Sequence, residues 1–149
     1  MFRGHFEHTI DGKGRLSIPA RYREALAGLQ DERLVLTKFR KGQSRRLHAY
    51  PISSWRRLEK KILSKGRFDP QLERFRSVYV AGAHECPIDA QGRVLVPPLL
   101  REYADLRHDV ISTGEIDMFQ IWNRDVWKQQ FEDDEKIFDE PETLQALDI

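Results

Sequence analysis

The chain carries one unit twice. Residues 11–24 read DGKGRLSIPARYRE and residues 89–102 read DAQGRVLVPPLLRE, and the two superpose without a gap at an offset of 78 residues. Asp11 matches Asp89, Gly14 matches Gly92 and Arg15 matches Arg93; Pro19, Arg23 and Glu24 match Pro97, Arg101 and Glu102. Between arginine and proline both copies are mostly apolar. A chain of 149 residues with such a repeat is expected to fold as two like halves, 1–80 and 81–149, sharing one core.

The net charge of +1 hides a segregation. Residues 1–80 hold 19 Lys and Arg against 8 Asp and Glu, a balance of +11, while residues 81–149 hold 6 against 16, a balance of −10. Such asymmetry points to nucleic-acid contact by the basic half. It also fits two faces that attract each other between copies of the chain. The single cysteine, Cys86, rules out an intrachain disulfide, suits a reducing compartment and reads as a small buried hydrophobe. No apolar run approaches the ~20 residues of a membrane span, and the N-terminus has no apolar signal core. The expectation is a soluble cytoplasmic protein.

Local patterns give each half the same plan. Residues 2–10 read as a strand with Phe2 and Phe6 on one face and Arg3, His5 and Glu7 on the other. Asp11-Gly12-Lys13-Gly14 is a turn in which both glycines are free to take positive φ. A short strand follows from Arg15, and Pro19 opens a helix that ends near Gly28. Residues 33–39 and 46–50 form a hairpin about Lys41-Gly42. Ser53 and Ser54 are candidate caps of a helix whose inner stripe is Trp55, Leu58 and Ile62, and Asp69-Pro70 opens another with Leu72, Phe75 and Tyr79 inward. The second half repeats the order: a strand at 83–88, a turn at 89–92, a strand at 93–96 and a helix after Pro97. A hairpin about Gly114-Glu115 and a helix from Arg124 to about Phe138 follow, with Trp127 mirroring Trp55. The acidic C-terminus is expected to fray. Strands this short do not suit parallel crossovers. The expected class is α+β, a small β-barrel with strands from both halves and helices outside.

The loop at 11–15 offers backbone N–H groups and the charges of Lys13 and Arg15. It could cradle a phosphate, although it matches neither GxxxxGK[ST] nor GxGxxG. Arg15 at the mouth of a strand can instead reach into a major groove, where its planar fork fits guanine O6 and N7. Lys13 would then touch phosphate. The blander roles are equally concrete. Asp11 and Asp89 can close their turns through backbone bonds, Arg15 and Arg93 can pair with them, and Arg23 and Arg101 can serve as ion-pair or packing arginines. Gln91 stands where the first loop has Lys13, so the halves have diverged. The five histidines lack metal-ligand spacing and no GxSxG occurs, so no enzyme, metal, cofactor or small-molecule substrate is expected.

These two DxxGRxxxPxxxR units, the opening MFRGHFEHTIDGKGRLSIPARYRE and the aromatic helix starts at Trp55 and Trp127 resemble the MraZ family of bacterial transcriptional regulators over nearly the whole chain. The resemblance implies an AbrB-type swapped-hairpin barrel closed within one chain and homo-oligomeric rings. It further implies binding of double-stranded DNA at short G-rich direct repeats, usually to repress the operon for division and cell-wall synthesis, hence a nucleoid-associated protein. It places the DNA contacts on Asp11, Lys13, Gly14 and Arg15, and in the second copy on Asp89, Gly92 and Arg93. Arg3 joins Lys13, Gly14, Arg15 and Arg93 as a DNA-facing candidate. Asp11, Pro19, Arg23, Asp89, Gly92, Pro97 and Arg101 are candidates for framework positions. The competing expectation is an antitoxin-like module that holds a toxin with its acidic tail, although antitoxins usually carry one motif copy per chain.

Overall fold

Turn chemistry sets the element boundaries. The computed structural model describes all 149 residues, Met1–Ile149. The first half contains β1 (His5–Thr9), β2 (Arg15–Ser17), α1 (Ala20–Gly28), β3 (Arg33–Lys41), β4 (Ser44–Pro51), α2 (Ile52–Ser64) and α3 (Pro70–Phe75), the last running into a π-helical turn, Arg76–Val80. The second contains β5 (His84–Pro87), β6 (Arg93–Leu95), α4 (Pro98–Tyr103), β7 (Asp109–Gly114), β8 (Phe119–Asn123), α5 (Arg124–Asp134), a 3-10 turn (Glu135–Asp139) and α6 (Pro141–Ala146).

The fold is α+β. Six strands form one antiparallel sheet in the order β1-β7-β8-β4-β3-β5, and β2 pairs with β6 in a separate two-stranded ribbon. The halves exchange strands. β1 of the first half lies on β7 of the second, β5 of the second lies on β3 of the first, and the β4 and β8 hairpin strands meet in the middle. The expected single barrel thus takes the form of a sheet and a ribbon, joined only by the isolated bridges Ile10–Leu16 and Ile88–Val94.

One core lies between sheet, ribbon, α1 and α4. Leu34, Leu36, Leu47, Ala49, Phe119 and Ile121 supply its sheet side, and Leu16, Ile18, Val94 and Val96 its ribbon side. Phe2, Tyr22 and Phe119 meet ring to ring at 4.8–5.3 Å. The Tyr22 hydroxyl donates to the Gly4 carbonyl at 2.9 Å, and burial pushes its pKa up to about 12. Gly114 lets the N-terminus in. Its N–H donates to Gly4 O at 3.0 Å, and a Cβ there would collide with the backbone N of Arg3. Cys86 is buried, which pushes its thiol up to about 11.

A smaller cluster under α2 holds Val35, Ile52, Trp55 and Tyr79. Tyr79 comes from the π-helical turn, which folds back over the sheet. Its ring stacks on Trp55, its hydroxyl shares hydrogen bonds with His48 and Tyr50, and its carbonyl accepts from Thr37 Oγ1. Burial holds His48 neutral, with a pKa down to about 4.

Several local expectations need correction. Only Gly14 of the first turn takes positive φ, at 87°; Gly92 repeats it at 74°. α2 starts at Ile52 behind Pro51 without a side-chain cap, because proline already fixes the entry. Ser53 instead bonds Asp31, and Ser54 accepts from Arg57. Phe75 is exposed rather than inward: its ring lies on the outer side of Tyr79, stacked at 4.8 Å, instead of in the core. α5 ends at Asp134, and the C-terminus forms α6 where the composition predicts fraying.

Candidate nucleic-acid interface

The ribbon carries the repeated motif. Arg15 lies opposite Leu95, Leu16 opposite Val94 and Ser17 opposite Arg93. Strand alternation then divides the two faces. Leu16 and Val94 point into the core, while Arg15, Ser17, Arg93 and Leu95 share the outer face. Arg15 and Arg93 are diagonal neighbours, their Cα atoms about 7–8 Å apart by sheet geometry. Ile18 N donates to Gly92 O, and Val96 N to Gly14 O, each at 2.9 Å. Those bonds tie each turn to the other half's strand, so the two turns flank the ribbon at opposite ends.

Each turn is built around its aspartate. Asp11 Oδ1 accepts from the backbone N–H groups of Lys13 and Arg15, both at 2.9 Å, and Oδ2 accepts from Arg15 Nε at 2.7 Å. Asp89 repeats the set with Gln91 N, Arg93 N and Arg93 Nε at 2.9, 2.9 and 3.1 Å. Both the turn-closing and the arginine-pairing roles are therefore present. They occupy only Nε of each arginine. The terminal nitrogens of Arg15 bond no other residue of the chain, whereas Arg93 Nη2 donates to Gln91 Oε1 at 2.6 Å. Lys13 is exposed and unpaired.

Arg23 and Arg101 cross between the halves. A Cβ on Gly14 would lie 2.5 Å from the Arg101 guanidinium carbon, and a Cβ on Gly92 would lie 2.5 Å from Arg23 Cδ. Each motif's arginine thus packs over the other motif's glycine, and Arg101 Nε donates to Val96 O at 3.1 Å. Pro19 and Pro97 sit at the N-caps of α1 and α4 and launch the helices that carry these arginines. Arg3 stands apart. It lies beside the β7–β8 turn at the far end of β1, roughly 26 Å of extended chain from Asp11. It does not join the ribbon surface. Leu95, 58% exposed beside Arg15, does join it. Its apolar character hides it in the sequence, although counting by twos from Arg93 puts it on the outer face.

The Asp11 carboxyl is held down to about 2, first by the Arg15 N–H, then by the Arg15 side chain and the Lys13 N–H. Asp89 is lowered by the equivalent bonds. A depressed carboxyl contributes order that is complete above its unfolded pKa and is lost as pH falls through the folded one. The Lys13 and Arg15 amide resonances are therefore expected to stay put from neutral pH to about 3 and to move below that, with a midpoint near 2. An Asp11 midpoint at or above the ordinary aspartate value would contradict these bonds.

The profile of a family described as "MraZ protein, putative antitoxin-like" matches twice, over residues 1–77 and 79–148. The chain belongs to the MraZ family. A Desulfitobacterium hafniense protein named transcriptional regulator MraZ is 42% identical over 127 residues, which is 85% of this chain and 84% of the relative. Proteins of the same name from a Thermoanaerobacter species and from Thioalkalivibrio sulfidiphilus are 39% and 35% identical over the full length of both chains. The two MraZ matches divide the chain where the repeat does, and each contains one aspartate–arginine turn. No three His, Cys, Asp or Glu side chains converge to hold a metal, and no helix is long and apolar enough to cross a membrane.

Proposed function

We propose that the chain is a cytoplasmic, nucleoid-associated transcriptional regulator that lays its β2–β6 ribbon in the major groove of double-stranded DNA. The observation that carries this is the outer face of the ribbon, where Arg15 and Arg93 stand diagonally across the two strands, each braced by an aspartate. A major groove about 12 Å wide admits a two-stranded ribbon. An arginine held at Nε keeps its terminal fork for guanine O6 and N7, which suits G-rich sites. Lys13 at the end of the ribbon meets phosphate, and the names of the relatives agree with the reading. In this reading residues 1–80 and 81–149 are two AbrB-like units, and the bridges Ile10–Leu16 and Ile88–Val94 close sheet and ribbon into a swapped-hairpin barrel. Rings of such chains bind direct repeats, with several modest contacts made cumulative, and repress the division and cell-wall operon that the family resemblance indicates. Nothing in the reading calls for catalysis or a cofactor.

Selection of bound fragments from genomic DNA tests the assignment; recovery of no enriched sequence would overturn it. The two turns give a finer test. Lys13→Gln is expected to weaken binding to all sequences and to lower the salt slope by about one unit for each phosphate it leaves unneutralised. Gln91→Ala should change little. A larger effect from the Gln91 change would place the DNA face on the other turn. The antitoxin-like alternative is favoured by the family description and the acidic tail. It predicts a small basic protein that co-purifies with the chain.

A further inference from the structure

The two halves differ in one place that the repeat makes visible. Trp55 is the fourth residue of α2 and Trp127 the fourth of α5. In the first half the chain after α2 folds back and stacks Tyr79 on Trp55. In the second half the chain after α5 does not return: from Glu135 to Ile149 every residue but Leu144 is exposed. The space against Trp127 is therefore left as a cavity of about 160 Å³, walled by Trp122, Trp127, Phe131 and His5. Arg46 forms its floor. It is 5% exposed, lies 3.8 Å over the Trp122 ring, and its Nε has no partner. Glu115 and Asp134 stand at the rim.

The same chain presents a side chain of the missing kind. Phe68 is 89% exposed, the most exposed aromatic in the chain, and it follows Lys65 and Arg67. Its loop is held, not loose. Gly66 takes φ 100° and closes α2, Asp69 caps α3 through Gln71 N and Leu72 N, and Arg76 Nη2 donates to the Arg67 carbonyl. An aromatic ring fixed outward, beside cations, complements an aromatic box with an acidic rim. Phe138 is also exposed, but it sits among Glu135, Asp139 and Glu140 and would bring like charge to the rim.

We infer that Phe68 of one copy of this chain docks in the Trp127 cavity of the next, with Lys65 and Arg67 facing Glu115 and Asp134. Knob and cavity are different surfaces of one chain, so the contact is heterologous and repeats head to tail, closing into a ring where the rotation allows. The inference rests on the ring reading above and assigns its interface.

Light scattering on the full-length protein tests it. Wild type is expected to assemble at micromolar concentration. Phe68→Ser should weaken each contact at least about 30-fold, as truncation of a buried aromatic anchor does, and leave a monomer. Far-UV circular dichroism should not move, because Phe68 lies outside both apolar clusters of its own chain. Phe131→Arg should spoil the cavity in the same way. Each variant keeps one intact surface, so an equimolar mixture is expected to give pairs and nothing larger. A Phe68→Ser protein that assembles like wild type overturns the docking and leaves the ring standing. A monomeric wild type overturns both. A mixture that forms no pairs overturns the head-to-tail geometry.

Discussion

Arg15→Ala is expected to remove sequence-specific DNA binding while leaving fold and assembly intact. A bidentate arginine–guanine contact discriminates by about 1–3 kcal/mol, and the defect recurs in every subunit that touches a repeat. Two engaged subunits would already multiply it. Fold should survive, because Arg15 stands on the outer face of the ribbon and Asp11 keeps its bonds from the Lys13 and Arg15 backbone N–H groups. Arg15→Lys should not restore recognition, since an ammonium lacks the planar fork. Arg93→Ala should cost less, because Gln91 already holds one Arg93 terminal nitrogen at 2.6 Å. Mobility-shift titration on operator and scrambled duplexes decides the matter. Equal operator affinity for Arg15→Ala and wild type would remove the ribbon from the recognition surface.

Gly114→Ala is expected to be the most damaging single methyl group in the chain. Its Cβ would collide with Arg3 N, Arg3 Cα and Phe2 C, all backbone atoms that cannot rotate aside. The N-terminal segment must move, and the Phe2–Ile116 bridge and the Gly114–Gly4 bond go with it. Phe2, 1% exposed against Tyr22 and Phe119, then leaves the core. Removing a buried phenylalanine destabilises by about 3–5 kcal/mol. Gly28→Ala is the control. A Cβ there meets nothing within 4 Å, and alanine in a helix is preferred over glycine by up to about 1 kcal/mol. Urea unfolding of both variants separates the two cases. Equal midpoints would mean that the N-terminus gives way without consequence.

What the sequence discloses here is whatever a few adjacent residues decide. The aspartate turn, the short strand after it and the proline-started helix are all local, and each lies where the repeated motif puts it. The Asp11–Arg15 and Asp89–Arg93 pairs are four residues apart and equally legible. The crossing of Arg23 onto Gly92 and of Arg101 onto Gly14 is not, because it depends on which strand the ribbon borrows. Leu95 is hidden for a related reason: an apolar residue in a strand is read as inward until its partner strand is known. Ser53 and Ser54 look like caps because serine suits that role, but Pro51 starts the helix first. Arg3 is basic like Lys13 and Arg15, and only the length of β1 separates it from them.

The exchange of strands has a consequence for synthesis. β1 must wait for β7, which leaves the ribosome about 100 residues later, or about 5–20 s at ordinary elongation rates. During that interval the nascent first half has the β3–β4 hairpin but neither of its outer neighbours. Its open hydrogen-bonding edges are bare, and such edges invite pairing with the wrong chain. β1 itself, HFEHT, alternates its single phenylalanine with histidine and glutamate, which makes it a poor template for sticking to another copy. Residues 81–149 supplied in trans should therefore rescue a chain truncated after residue 80, and a nascent chain stalled at that point should be the stage most in need of a chaperone.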